Sequence, residues 1–182
     1  MILFINACVR EGSRTKRLAD HLLGTMDGEI EEVRLVDTAF PTVDQDFLDR
    51  RDRLIKGGAY SDPMFGLARQ FASADTIVVA APYWDLSFPA TLKAYFEQIN
   101  VLGLTFAYTA DGAVEGLCKA EKLYYITTSG GPFAPDEYGY GYVEALAKNY
   151  YGIPETELIK AVGLDIVGAD PERILKERME GL

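Results

Sequence analysis

Apolar and polar positions along the chain follow two rhythms. The blocks "ILFINAC" (Ile2–Cys8), "TIVVAAP" (Thr76–Pro82) and "KLYYITTSGG" (Lys122–Gly131) are short apolar runs bounded by turn residues, which predicts buried strands. "EIEEVRLVD" (Glu29–Asp37) alternates polar and apolar residues and predicts a further strand, and "ELIKAVGLDIVG" (Glu157–Gly168) is assigned as the last. Between these runs the spacing changes to threes and fours. Leu18, Leu22, Leu23 and Met26 share one face of "SRTKRLADHLLGTM", and Leu92, Tyr95, Phe96 and Ile99 do so in "PATLKAYFEQI", where Pro89 suits a first helical turn. Helices are also predicted in "DQDFLDRRDRLIKGG", stopped by Gly57 and Gly58, in "PMFGLARQFASA" and in "GYVEALAKNYYG". A final one in "DPERILKERMEG" is capped by Asp170 and opened by Pro171. "LTFAYTADGAVEGL" (Leu104–Leu117) departs from both rhythms: two short β-prone runs around "ADGA" predict a hairpin.

Five strands interleaved with helices predict a parallel sheet covered on both faces, because parallel strands need crossover connections. The fold class is α/β, a three-layer sandwich with a small hairpin insertion, and residues 1–182 are expected to form one domain. The length of 182 residues, with 48% hydrophobic and 25% charged residues, suits one substantial core.

A formal net charge of -10 argues against nucleic acid and anionic lipid as partners, while leaving room for a small anionic ligand held by local amides and one or two cations. The apolar run at the start is too short for a signal peptide or membrane span, so a cytoplasmic protein without membrane insertion is expected. Cys8, Cys118 and the single histidine, His21, show no metal-ligand spacing. The cysteines are expected to be buried or inert thiols, His21 to lie on the solvent side of its helix, and Asp44, Asp46, Asp49 and Asp52 to form a solvated helix face.

In such a sheet a ligand lies beyond the carboxyl ends of the strands, where neighbouring connections leave in opposite directions. Three loops reach that edge. "NACVREGSRT" offers Ser13, Arg14 and Thr15 at a helix opening, where free amides favour an anion; Ser13 serves as helix cap, phosphate ligand or both. No G-x-G-x-x-G or P-loop pattern is present. "PYWDLSFP" sets Tyr83 and Trp84 beside Asp85, either as walls for a planar heterocycle or as a hydrophobic lid or dimer contact. "TTSGGPF" carries Thr128, Ser129, Gly130 and Gly131, either an ordinary turn or a place where backbone approaches a ligand. Tyr138, Tyr140 and Tyr142 in "DEYGYGY" line a pocket or pack against a neighbour.

Together these motifs resemble the flavodoxin-like NAD(P)H-dependent oxidoreductases, in particular the FMN-dependent azoreductase and quinone reductase family. The likeness covers nearly the whole chain. It rests on "R-x-x-S-R-T-x-x-L-A" from Arg10, "A-P-Y-W-D-L-S-F-P-A-x-L-K" from Ala81, "L-T-F-A-Y-T-x-x-G" from Leu104 and "I-T-T-S-G-G" from Ile126. The resemblance implies a flavodoxin-like sheet of order 2-1-3-4-5. It also implies FMN as cofactor, NADH or NADPH as donor, and two-electron ping-pong transfer to quinones, azo compounds or similar flat acceptors. It implies a phosphate near Ser13, Arg14 and Thr15, with Arg10 also among the cofactor-binding residues, a flavin ring against Pro82, Tyr83, Trp84, Asp85 and Leu86, and Thr128 to Gly131 on the ring's other side. Family members are typically homodimers. Two positions depart from the family: Asp85 stands where many azoreductases carry Asn, and Ser129 where many carry Arg. Asp85 is therefore expected to act through its backbone N–H. Two other roles suit the same fold: a flavodoxin-type electron carrier, and a flavin-binding regulatory subunit of a membrane transporter.

Overall fold

The computed structural model describes residues 1–182. Its main sheet contains β1 (Ile2–Asn6), β2 (Ile30–Arg34), β3 (Thr76–Ala80), β6 (Lys122–Thr128) and β7 (Glu155–Ala161), all parallel, in the order β2-β1-β3-β6-β7. Counting these five strands alone, the order is 2-1-3-4-5, as expected. The hairpin β4 (Phe106–Tyr108) and β5 (Val114–Gly116) forms a separate antiparallel pair around Gly112, whose φ of 84° needs a glycine.

Two apolar layers flank the sheet because successive strand residues face opposite ways. Leu3, Ile5, Ile77, Val79, Leu123 and Tyr125 face α3 (Gly66–Ser73), α4 (Ala90–Ile99) and α5 (Tyr140–Leu146). Ile2, Phe4, Val78, Ala80, Ile126 and Ile159 face α1 (Arg14–Leu23) and α6 (Pro171–Met179). The crossover after β1 therefore leaves toward one face and the crossover after β3 toward the other. Their divergence opens a crevice at the carboxyl edge. α2 (Gln45–Lys56) buries none of its residues fully and is tethered by Arg51, whose guanidinium donates to the carbonyls of Glu97 and Asn100.

Three local boundaries differ from the sequence expectation. The last strand ends at Ala161, because Gly163, at φ 77°, turns the chain away; Leu164 to Gly168 form a loop in spite of their β-prone composition. α5 passes into a π-helical turn over Ala147–Tyr151, closed by Gly152 at φ 74°. Pro89 caps α4 from just outside its first turn. No helix is long and apolar enough to cross a membrane.

Candidate functional site

A cavity of about 370 Å³ opens at the crevice. That is the size of a small-molecule site. One end is built by the loop after β1. Asn6 starts it: its side-chain Oδ1 accepts from the Cys8 N–H at 2.9 Å, and its amide donates to Glu32 Oε1 at 2.7 Å. Ser13 then caps α1, its hydroxyl accepting from the Lys16 N–H at 3.3 Å. The amides of Arg14 and Thr15 have no acceptor within the chain, although Thr15 is only 1% exposed. Free amides at a helix start attract an anion. Thr15 is locked from the other side by a 2.7 Å hydrogen bond between its hydroxyl and that of Thr128, which ties α1 to the end of β6.

The opposite wall is aromatic. Pro82, Tyr83 and Trp84 line the cavity, and the Tyr83 N–H donates to Thr128 O at 3.2 Å. Trp84 and Ser87 exchange backbone hydrogen bonds at 3.0 and 2.7 Å around Asp85 and Leu86, at φ 49° and 70°. Two successive positive φ values across a two-residue loop describe a type I′ turn, here without glycine. The Ser87 hydroxyl donates to Tyr138 O at 2.5 Å and joins this turn to the loop after β6.

Of the thirteen residues proposed from sequence, Arg10, Ser13, Arg14, Thr15, Pro82, Tyr83, Trp84, Thr128, Ser129 and Gly130 line the cavity. Asp85, Leu86 and Gly131 do not. Asp85 is exposed at the turn tip with no ionic partner, and Gly131 lies just beyond Gly130, its carbonyl accepting from the Ser129 hydroxyl at 2.5 Å. Tyr140 and Tyr142 pack inward: Tyr140 bonds Thr156, and the Tyr142 ring meets Phe88 and Phe96. Tyr138 stays exposed.

Sequence reasoning missed a fourth wall, made by Leu164 and Asp165 after β7, and also Val9 and Gly12. The signal for the loop was present, though not for the role of Asp165: a glycine after an apolar strand and a capped helix beyond it mark another strand-to-helix connection at the same edge. Asp165 is the only carboxylate among the lining residues, and it pairs with Arg14 at 2.6 Å. Next to it Arg17 grips Glu172 through bonds of 2.8 and 2.6 Å. That pairing lowers the Glu172 carboxyl below its usual range, with a smaller contribution from Arg14. Burial pushes the Cys8 thiol up to about 11 and Cys118 to about 12, so neither offers a thiolate at neutral pH. His21 is exposed on α1, its ring nitrogen 3.0 Å from Met179 O. The cavity has no histidine and no second carboxylate, so it offers binding groups without an acid–base pair.

A family described as having a flavodoxin-like fold matches residues 1–181. An FMN-dependent NADH:quinone oxidoreductase of Coprothermobacter proteolyticus is 34% identical over 191 aligned positions, covering 98% of this chain and 94% of the relative. The protein of the same name from Lachnoclostridium phytofermentans is 36% identical over 192 positions, with the same two coverages. Among solved structures, an azoreductase from Bacillus anthracis str. Sterne superposes with a TM-score of 0.84 at 24% identity over 99% of this chain and 95% of its own. An FMN-dependent NADH-azoreductase from Bacillus anthracis str. Ames Ancestor, in complex with FMN, gives 0.81 at 25% identity, over 99% and 94%.

Proposed function

The chain belongs to the family with the flavodoxin-like fold, and from that premise we propose that it is an FMN-dependent NADH oxidoreductase that reduces quinones and azo compounds. The observation that carries this reading is the make-up of the cavity: an anion cradle of free amides at one end, an aromatic wall at the other, and no acid–base pair between them. Such a site binds and orients; the reactive group comes from a cofactor. The residues present fit FMN. The amides of Arg14 and Thr15, the Ser13 hydroxyl and Arg10 would hold a terminal phosphate. Tyr83 and Trp84 would flank the ring, with Gly130 letting backbone approach its other side.

When bound, FMN supplies two-electron chemistry, accepting hydride from NADH and passing reducing equivalents to the acceptor. The chain's own part is positional. The Thr15–Thr128 clamp and the Ser87–Tyr138 bond fix the cradle and the aromatic wall relative to each other, so donor and acceptor take turns in one cleft. NADH is the donor named for the relatives.

Residues 1–182 act, in this reading, as one domain. A cytoplasmic setting is supported by two unpaired cysteines. Two chains are proposed to pair about the cleft mouth. Phe133, Tyr138 and Trp84, on the loops after β6 and β3, are 70, 60 and 41% exposed, and exposed aromatic rings at that edge favour a protein contact.

Anaerobic mixing of the flavin-loaded chain with NADH tests the function. The yellow absorption is expected to bleach without an added reductase and to return when a quinone is supplied. A chain that keeps its colour in excess NADH would refute the proposal and favour a one-electron carrier.

A further inference from the structure

Two arginines enter the cavity in different electrostatic states. Arg10 makes no ion pair, whereas Arg14 lies 2.6 Å from Asp165 Oδ1. Asp165 owes its place to backbone contacts. The Gly163 N–H donates to Gly131 O at 2.9 Å, the Leu164 N–H to Ser129 O at 3.2 Å, and the Asp165 N–H to Gly130 O at 2.9 Å. These bonds form a seam between the loops after β6 and β7. Gly130 completes it: a Cβ there would fall 2.3 Å from Asp165 Oδ2. The seam thus carries a carboxylate to the same end of the cavity as the free amides of α1. A carboxylate in hydrogen-bond contact with a guanidinium weakens its pull on a second anion, because two like charges then share one cation.

We propose that Asp165 sets how strongly this site discriminates between flavins with and without a terminal phosphate. By neutralising Arg14 it leaves phosphate attraction to Arg10 and the α1 amides. The inference rests on the FMN reading given above. Asp165 is a specificity-determining residue in this role: its charge acts on the phosphate through Arg14 and takes no part in electron transfer. Riboflavin shares the ring and ribityl chain of FMN and lacks the phosphate, so it reports everything about the site except this effect.

The test titrates the flavin-free chain with FMN and with riboflavin, followed by flavin fluorescence at low and at high ionic strength. Asp165→Asn is expected to tighten FMN by about three- to tenfold at low salt and to leave riboflavin unchanged. The gain should shrink as salt screens the freed guanidinium. Arg14→Gln, which leaves the carboxylate unopposed, should weaken FMN and spare riboflavin. The double variant, with no charge at either position, should return the FMN-to-riboflavin ratio close to the native value. A structural role alone would move both flavins together in each variant. That outcome, or unchanged FMN affinity in Asp165→Asn, would overturn the proposal. If the native chain bound neither flavin, the FMN reading itself would fall, and this inference with it.

Discussion

Leu86 holds a left-handed backbone, φ 70°, beside Asp85 at 49°. An aspartate tolerates that region better than most residues, and a γ-branched apolar side chain does not. The strain sits beside the aromatic wall, where a sharp reversal sets the direction of Trp84. Leu86→Gly should therefore stabilise the fold by about 0.5–1 kcal/mol after the loss of backbone freedom is counted, seen as a higher urea midpoint with an unchanged slope. A lower midpoint would mean that the side chain, 48% exposed, gives more than its backbone costs. At this scale the sequence was informative wherever a residue's role was local. Ser13 before an amphipathic run announces a cap, and glycine after a strand announces a turn. Asp165 gave no such signal, since its partner Arg14 lies 151 positions away and only the folded sheet brings them together.

Among the elements, the hairpin and the π-helical turn are fitted to each other. A Cβ on Gly116 would lie 2.1 Å from the Gly152 nitrogen and 2.2 Å from the Tyr151 carbonyl carbon, both backbone atoms that cannot rotate aside. Gly116→Ala should lift the hairpin from its seat and cost about 1–3 kcal/mol, measured by thermal or urea unfolding. Apolar runs and alternation made all five sheet strands legible, and the turn residues of "ADGA" between two β-prone runs made the hairpin so. The π-helical turn was not legible. Within it Tyr151 is fully buried and its hydroxyl donates to Asn100 Oδ1 at 2.7 Å, a contact 51 positions away in the chain. The last strand was overdrawn for a related reason: Ile166 and Val167 carry β propensity but are exposed, and propensity without burial did not extend the sheet.

Across the whole molecule, the two faces of the sheet bury separate apolar layers, and the cavity lies where the crossovers part. That placement followed from strand order, which the resemblance to the flavodoxin-like family implied. In the sequence the proposed pairing of two chains rested on the resemblance alone, since a second chain leaves no periodic trace there. Sedimentation of the flavin-loaded chain is expected to give a mass near twice 20.1 kDa. Substituting Phe133 and Tyr138 by serine should shift the population toward single chains. A native chain that sediments singly at all concentrations would refute the pairing.

The seam between residues 129–131 and 163–165 is written in main-chain atoms, with glycine demanded by the backbone at Gly163, φ 77°, and by close packing at Gly130. Cofactor preference and architecture are thereby uncoupled. A lineage can retune the charge at position 165 by a single codon change and keep the same scaffold, so the appetite for phosphate is free to drift while the sheet beneath it stays put.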